Sequence, residues 1–225
     1  MIPIRDTIAS RRKAWTVRVL LMVNLVMFLL ELSQGSHLEM FLYRFGVVPA
    51  YWTSNLNDPS QWLSLMVTLV TSQFLHGGVM HLGSNMLYLW IFGDNVEDRL
   101  GPAKFLLLYL GCGVIAAVVQ LVMQPTGSVP MIGASGAIAG LLGTYFVFFP
   151  SSRIVTLIPW FLTIEVVQLP AFVFLGFWFL LQWVQGMTTI GQVADVGGIA
   201  WWAHIGGFMT GLVLGLVLQP RRRYF

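Results

Sequence analysis

One serine, two histidines and an asparagine lie in the most apolar parts of this sequence. Ser135 lies in the segment MIGASGAIAG, and His204 lies in the segment AHIGGFMTG. A serine hydroxyl is a weak nucleophile until a neighbouring base takes its proton, and an imidazole can be that base. His81 and Asn85 could donate hydrogen bonds to a developing oxyanion. If the chain brings them together, these residue types predict acyl transfer to the serine.

Each of these residues also has a plain structural explanation. Small residues such as those around Ser135 let membrane helices pack closely, and His204 could be a hydrogen-bonded core residue. His81 and Asn85 could simply bond neighbouring helices. A metal site is not favoured, because no cysteine or carboxylate lies near enough in sequence to His76 and His81 to complete a familiar ligand set. We expect neither a metal nor a cofactor.

The composition indicates that a membrane surrounds the elements that position these residues. Of the 225 residues, 57% are hydrophobic and only 9% are charged, and the mean hydropathy is +0.78. A soluble domain carries about 25% charged residues. The single cysteine, Cys112, excludes an internal disulfide, and we interpret it as a small packing residue. The basic residues form no soluble patch, so we expect no nucleic-acid partner.

Six apolar segments are candidates for membrane-spanning helices, each of which needs about 20 residues. They are 14–32, 79–93, 103–123, 133–149, 170–185 and 199–218. The segment 62–75 is too short to span, and we interpret it as an interfacial or partly buried stretch that runs into the second span. The predicted fold class is all-α: a single domain, 1–225, built as a bundle of six transmembrane helices.

The basic residues predict the orientation of this bundle. Six spans put both termini on one side of the membrane, and all of the twelve Lys and Arg residues except Arg44 fall on that side. Because cytoplasmic loops hold an excess of Lys and Arg, we predict cytoplasmic basic tails at 1–13 and 219–225. The long loop 34–75 then faces outwards.

This topology places the candidate residues at one depth. The second, fourth and sixth spans all run inwards, and His81 and Asn85 lie near the outer end of the second. Ser135 begins the fourth span, and His204 lies about one turn into the sixth. Glycines at helical spacing follow both Ser135 and His204 and indicate that the fourth and sixth spans pack closely. These glycines are Gly136 and Gly140 on the fourth span, and Gly207 and Gly211 on the sixth.

Four segments together resemble the rhomboid family of intramembrane serine proteases. They are FGVVPAYW, FLHGGVMHLGSNMLYLWIFGDNVEDRLG at 74–101, GASG at 133–136 and AHIGGFMTG at 203–211. The resemblance extends from about residue 45 to residue 215. It implies a rhomboid-like helical bundle that works with a Ser–His dyad and without an acidic third member.

The resemblance also implies a role for each matching residue. Ser135 matches the family's nucleophile and His204 its general base. His81 and Asn85 match side chains that help to form the oxyanion hole, and His76 matches a further histidine of the same motif. The remaining matches are Gly133 in the substrate-binding motif around the serine, Gly207 and Gly211 as packing glycines, and Glu97 and Arg99 as a structural polar cluster. We assign no catalytic role to Asp195.

Two positions depart from the family pattern. The Trp-Arg pair found in the first outer loop of many members is replaced here by Tyr43-Arg44. The fourth position after the serine, which is often aromatic and packs on the base, is Ala139. Another ring, Trp201 or Trp202, is expected to cover the base instead.

The function implied is hydrolysis of peptide bonds in or near the transmembrane segments of other membrane proteins. The expected partners are therefore membrane-protein substrates and the lipid bilayer. We expect a bacterial plasma membrane, with the site open to the outer side and the span 170–185 as a lateral gate. One alternative is a catalytically inactive relative that binds membrane helices for quality control. A transporter is a weaker alternative, because no inverted repeat is evident.

Overall fold

A computed structural model describes residues 1–160, 163–190 and 199–219 of the chain, which are mostly helical. Its α-helices are α1 Trp15–Ser33, α2 Leu38–Phe45, α3 Pro49–Asn55, α4 Trp62–Thr71, α5 Val79–Leu100, α6 Pro102–Met123, α7 Ser135–Phe148, α8 Ala171–Thr188 and α9 Trp201–Leu218. Short 3-10 turns cover Gly35–His37, Pro59–Gln61 and Ser72–Phe74. Asp195 and the predicted basic tail beyond Gln219 lie outside the described residues.

Helices occupy all six predicted spans. Among the described residues, α1, α6, α8 and α9 are each long and apolar enough to cross a membrane. Helix α5 qualifies together with the preceding Pro59–Phe74, from which it is bent by 82°. Helix α7 is shorter, with 14 residues. A polytopic helical bundle is thus confirmed, whereas the count of six crossings, the side of each terminus and the single-domain organisation stay predictions.

The all-α prediction needs a correction, because a three-stranded antiparallel sheet lies at one end of the bundle. Its strands are β1 Ile2–Asp6, β2 Arg153–Trp160 and β3 Thr163–Pro170, in the order β1-β2-β3. Both later strands are rich in Val, Ile and Thr, which favour extended backbone. Eight-residue apolar runs are too short to be predicted as membrane spans, so apolar length alone gives no sign of these strands. The predicted basic tail 1–13 is therefore partly ordered as β1.

Helix α7 is the centre of the bundle. Eleven of its 14 residues are buried, as expected for a helix that is apolar all round. Its closest neighbour is α9: a Cβ added at Gly207 would overlap the carbonyl of Gly136, and one at Gly211 would overlap that of Gly140. Thr144 Oγ1 also donates to the Gly211 carbonyl at 2.9 Å. This close approach sets the beginnings of α7 and α9 side by side.

The last turns of α5 hold the beginning of α1 in place. The buried Glu97 carboxylate accepts the backbone N–H groups of Thr16 and Val17, both at 2.9 Å. These donors lie in the first turn of α1, where a helix offers no internal acceptor. The Arg99 guanidinium lies 5.0 Å from the ring centroid of Phe148, near the end of α7. The polar cluster matched in the sequence thus ties three helices together.

The segment 34–75 is anchored by contacts that the sequence analysis did not specify. Val47 and Met131 exchange two backbone hydrogen bonds, of 3.1 and 2.7 Å, which tie the segment to the chain before α7. Trp52 Nε1 donates to Thr68 Oγ1 at 3.0 Å. Arg44, by contrast, is exposed and lies over the ring of its neighbour Phe45. The Tyr43-Arg44 position therefore contributes little to anchoring.

Candidate active site

Ser135 and His204 face each other in the structure. His204 Nε2 lies 2.8 Å from Ser135 Oγ, within hydrogen-bonding distance. Ser135 is the first residue of α7, and His204 lies in the first turn of α9. The glycine contacts between these helices bring their first turns together. The two residues are thus close enough to exchange a proton.

The other side of the His204 ring contacts α8. Nδ1 lies 2.8 Å from Oε1 of Gln182, and the ring of Trp178 lies 6.0 Å away, centroid to centroid. Trp201, one of the two rings expected from the sequence, contacts His204 edge-on at 6.2 Å. Trp202 pairs with a tryptophan of α8 instead. The sequence analysis missed Gln182, although an amide within an apolar helix is a visible signal.

His81 and Asn85 lie against the backbone that precedes Ser135. A Cβ added at Gly133 would lie 2.7 Å from His81 Nε2 and 3.6 Å from Asn85 Nδ2. Gly133 has a φ of +120°, which L side chains rarely adopt. A glycine is therefore needed there for both conformation and space. The two side chains and the turn before α7 form one continuous wall.

This wall offers hydrogen-bond donors. Asn85 Nδ2 is buried and has no partner within the described part of the chain. Ser135 begins α7, and N–H groups in the first turn of a helix have no helical acceptor. A negatively charged oxygen placed between them could accept from both. Hydrogen-bond donors of this kind are what an oxyanion hole requires.

His76 lies behind this wall. Its ring packs edge-on against that of His81, with centroids 5.2 Å apart, and its backbone N–H donates to both carboxylate oxygens of Glu31 at 3.1 Å. Glu31 is 1% exposed and lies near the end of α1. The sequence analysis did not single out Glu31, which fixes the turn before α5 and so the position of His81.

A second amide missed in the sequence supports the base. Gln120 of α6 accepts the backbone N–H of Ala203 through Oε1 at 3.1 Å. Its Nε2 donates to Gln124 at 2.6 Å. Ala203 precedes His204, so Gln120 satisfies a backbone donor in the first turn of α9 and fixes the start of that helix.

A cavity of about 650 Å³ connects these groups. Ser135, His204, His81 and Asn85 all line it, together with Trp178 of α8. Cavities of this size are typical of ligand sites, which range from about 300 to 1,000 Å³. The four residues predicted to do chemistry therefore share one accessible space.

Comparison with known proteins identifies the family. A family model described as a Rhomboid domain matches residues 63–221. The chain belongs to the rhomboid family. The match covers the cavity-lining residues described above. Membership in the rhomboid family, together with the apolar helices, establishes an integral membrane protein. Because some relatives are named as mitochondrial proteins, it leaves the compartment open.

Three rhomboid relatives illustrate the extent of the similarity. Rhomboid protease GluP of Bacillus subtilis is 33% identical over 192 residues, which is 85% of this chain and 33% of GluP. Putative rhomboid protease YdcA of Bacillus subtilis is 36% identical over 114 residues, 48% of this chain and 57% of YdcA. Rhomboid protein 1, mitochondrial, of Saccharomyces cerevisiae is 28% identical over 158 residues, 68% of this chain and 42% of that protein. The chain thus spans between a third and somewhat over half of these relatives.

Proposed function

We propose that this rhomboid is an intramembrane serine endopeptidase that cuts peptide bonds in or near the transmembrane segments of other membrane proteins. The observation that carries the proposal is the 2.8 Å contact between His204 Nε2 and Ser135 Oγ. A hydrogen-bonded serine and base are the signature of an activated nucleophile. Two relatives that are named rhomboid proteases support the same reaction class.

The reaction proceeds by acyl transfer in two halves. His204 takes the proton from Ser135 Oγ as the oxygen bonds to the substrate's carbonyl carbon, and it returns that proton to the leaving amine. A water molecule then attacks the acyl-serine ester while His204 accepts its proton. The proton returns to Ser135 Oγ as the ester bond breaks, and the new carboxyl end leaves.

The charge that develops on the carbonyl oxygen needs stabilisation in each half of the reaction. Asn85 Nδ2, the backbone N–H of Ser135 and the His81 ring are the donors available at the cavity wall. Removing one donor of an oxyanion hole typically costs about 10²–10³ in rate. Because charges are weakly screened away from water, each donor stabilises the oxyanion more strongly there than it would in water.

The substrates are expected to unfold locally before they are cut. The carbonyl groups of a helix are occupied by internal hydrogen bonds, so a scissile bond must lie in extended backbone. Substrates with Gly or Pro near the cleavage point meet this condition at lower cost. The Lys and Arg distribution supports a cavity that is open to the outer side of the membrane. We propose a bacterial plasma membrane on the separate ground of the predicted six-span form.

Helix α8 is the proposed lateral gate for these substrates. Near its beginning, Phe174 stacks on Phe92 of α5, with ring centroids 6.4 Å apart. Further along, α8 packs on α9, where Phe179 stacks on Phe208 at 4.7 Å. Leu181 and Val184 remain exposed. The start of α8 is thus fixed to α5, and Trp178 near the middle of α8 lines the cavity.

Cleavage of a single-span reporter in liposomes tests the proposal. We expect Ser135→Ala and His204→Ala each to reduce cleavage by at least about 10³-fold, because members of such catalytic units are not replaceable. Ser36→Ala and His37→Ala are matched controls, since both residues are exposed in the loop after α1. Reporter cleavage by both site variants at the wild-type rate would refute the assignment. Wild-type protein that cuts no reporter and resists a fluorophosphonate would instead favour the inactive, helix-binding alternative.

A further inference from the structure

A single amide on α8 joins the helix to the imidazole of the dyad. Gln182 is 7% exposed within a helix that is otherwise mostly apolar. Its Oε1 lies 2.8 Å from His204 Nδ1. Its Nε2 donates to the backbone carbonyl of Trp178, one turn earlier, at 3.3 Å. Both ends of the amide are therefore engaged.

The Trp178 carbonyl fixes which way the amide points. A carbonyl oxygen can only accept, so the amide NH₂ must face it and the amide oxygen must face His204. An amide oxygen also can only accept, so the proton of the neutral imidazole lies on Nδ1. The lone pair is then on Nε2, facing Ser135 Oγ. A flipped amide would set two oxygens against each other and leave Nε2 protonated towards the serine.

We propose that Gln182 is a positioning residue that holds His204 in the tautomer able to accept the Ser135 proton. The inference rests on the proposed function and adds a determinant of its rate. In serine proteases with a catalytic triad, a carboxylate holds the histidine in this tautomer. Replacing that carboxylate by an amide stabilises the wrong tautomer and lowers kcat about 10⁴-fold. Here the neutral amide of Gln182, oriented by the Trp178 carbonyl, holds the tautomer without placing another charge in the bilayer, where charges are costly.

This arrangement couples α8 to the chemistry. The acceptor of the Nδ1–H proton lies on α8, whereas Ser135 and His204 lie on α7 and α9. When the later half of α8 moves away to admit a substrate, Gln182 leaves His204 and the tautomer is no longer fixed. The dyad is therefore fully competent only after α8 has returned, so substrate entry and peptide-bond cleavage are separate steps.

Substitutions at Gln182 and at Gln185, an exposed residue of the same helix, provide a matched test. Gln182→Met keeps the length of the side chain but removes the acceptor, and we expect kcat to fall about 10- to 100-fold with KM nearly unchanged. Gln182→Glu keeps an acceptor and should retain at least tenfold more activity than Gln182→Met. Gln185→Met and Gln185→Glu should both match the wild type. Equal kcat for Gln182→Met and the wild type would overturn the inference.

The tautomer itself can be measured without any variant. The ¹⁵N chemical shifts of His204 in the wild type at neutral pH should show a protonated Nδ1, and those of Gln182→Met should show a larger share of protonated Nε2. A wild-type imidazole protonated on Nε2 would overturn the inference even if Gln182→Met failed to fold. Inactivity of Ser135→Ala alongside that result would leave the proposed function intact, whereas cleavage by Ser135→Ala would refute the function itself.

Discussion

At the scale of single residues, the account depends on donors and acceptors whose partners the structure specifies. Ser135 Oγ, His204 Nε2, His204 Nδ1 and Gln182 Oε1 form one continuous chain of hydrogen bonds. Away from water, the hydrogen bonds in such a chain polarise and strengthen one another. Removing one member therefore weakens the remaining bonds as well. Asn85 is the contrasting case, because its donor has no partner among the described residues. A free buried donor is costly unless a ligand uses it.

The free donor of Asn85 predicts a rate effect without a stability effect. Asn85→Ala should lower kcat by about 10²-fold, because it removes one donor to the oxyanion. Its melting temperature should stay within a few degrees of the wild type, since Nδ2 has no hydrogen-bond partner to lose within the ranges that the structure describes. Asn57→Ala, at an exposed position, is the control. Wild-type kcat in Asn85→Ala would remove this residue from the oxyanion hole.

At the scale of helices, the distance between α7 and α9 determines whether the dyad forms. The contact is made by backbone, because Gly207 and Gly211 lie directly on the carbonyls of Gly136 and Gly140. A methyl group at these positions cannot be accommodated by rotating a side chain. The whole helix would have to shift, and that shift would separate Ser135 from His204.

Gly211→Ala tests this interface. We expect a loss of about 1–3 kcal/mol in stability from overpacking, together with a large drop in reporter cleavage. Gly111→Ala on α6 is the control, because among the described residues no atom outside its own helical turns lies within 4 Å of an added Cβ there, and alanine is the better helix former. Melting curves in detergent report the first effect. A Gly211→Ala protein as stable and active as Gly111→Ala would contradict close backbone packing.

The gate proposal also belongs to this scale. Cross-linking engineered cysteines between the later half of α8 and the start of α5 should stop cleavage of a membrane-embedded reporter. The same cross-link should leave labelling of Ser135 by a small fluorophosphonate intact, because the dyad remains assembled while α8 is held in place. A cross-link between positions 92 and 174, which already touch, is the control. Unchanged reporter cleavage in the first cross-linked protein would exclude α8 as the gate.

At the scale of the whole molecule, a half-buried carboxylate near the N-terminus links the sheet to the helices. Asp6 of β1 accepts hydrogen bonds from Tyr145 of α7 and from Asn95 of α5, the latter at 2.6 Å. Burial raises the pKa of Asp6 to about 6, the hydrogen bond from Tyr145 opposes that rise, and the nearby Asp94 adds to it. The folded state therefore binds this proton more tightly than the unfolded chain, whose pKa is near 3.8.

This shift predicts how stability depends on pH. The contribution of Asp6 is fully present below about pH 4 and is lost as the pH rises to about 6, because the folded state then loses its tightly held proton. Asp6→Asn should flatten the fall in melting temperature between pH 4.5 and pH 7, and Asp58→Asn, at an exposed position, should not. Identical pH profiles for Asp6→Asn and the wild type would contradict a raised pKa of Asp6 in the folded state.

The sequence predicted the helices and the candidate residues better than the contacts that orient them. Apolar length located the six helical segments, and motif spacing singled out Ser135 and His204, because both signals are local. Gln182 lies 22 positions from the base that it contacts, and Glu31 lies 45 positions from His76. Partners so far apart in sequence are identified only once the helices are packed. The strands β2 and β3 were missed because their apolar runs resemble fragments of spans.

The most direct test of the central claim is to determine which residue is covalently labelled and whether its labelling depends on His204. After wild-type protein reacts with a fluorophosphonate, mass spectrometry of its peptides should find one adduct, on Ser135. The same reaction with His204→Ala should give less than about a hundredth of that labelling rate, because the hydroxyl loses its base. An adduct on another residue, or equal labelling of Ser135 with and without His204, would contradict the dyad.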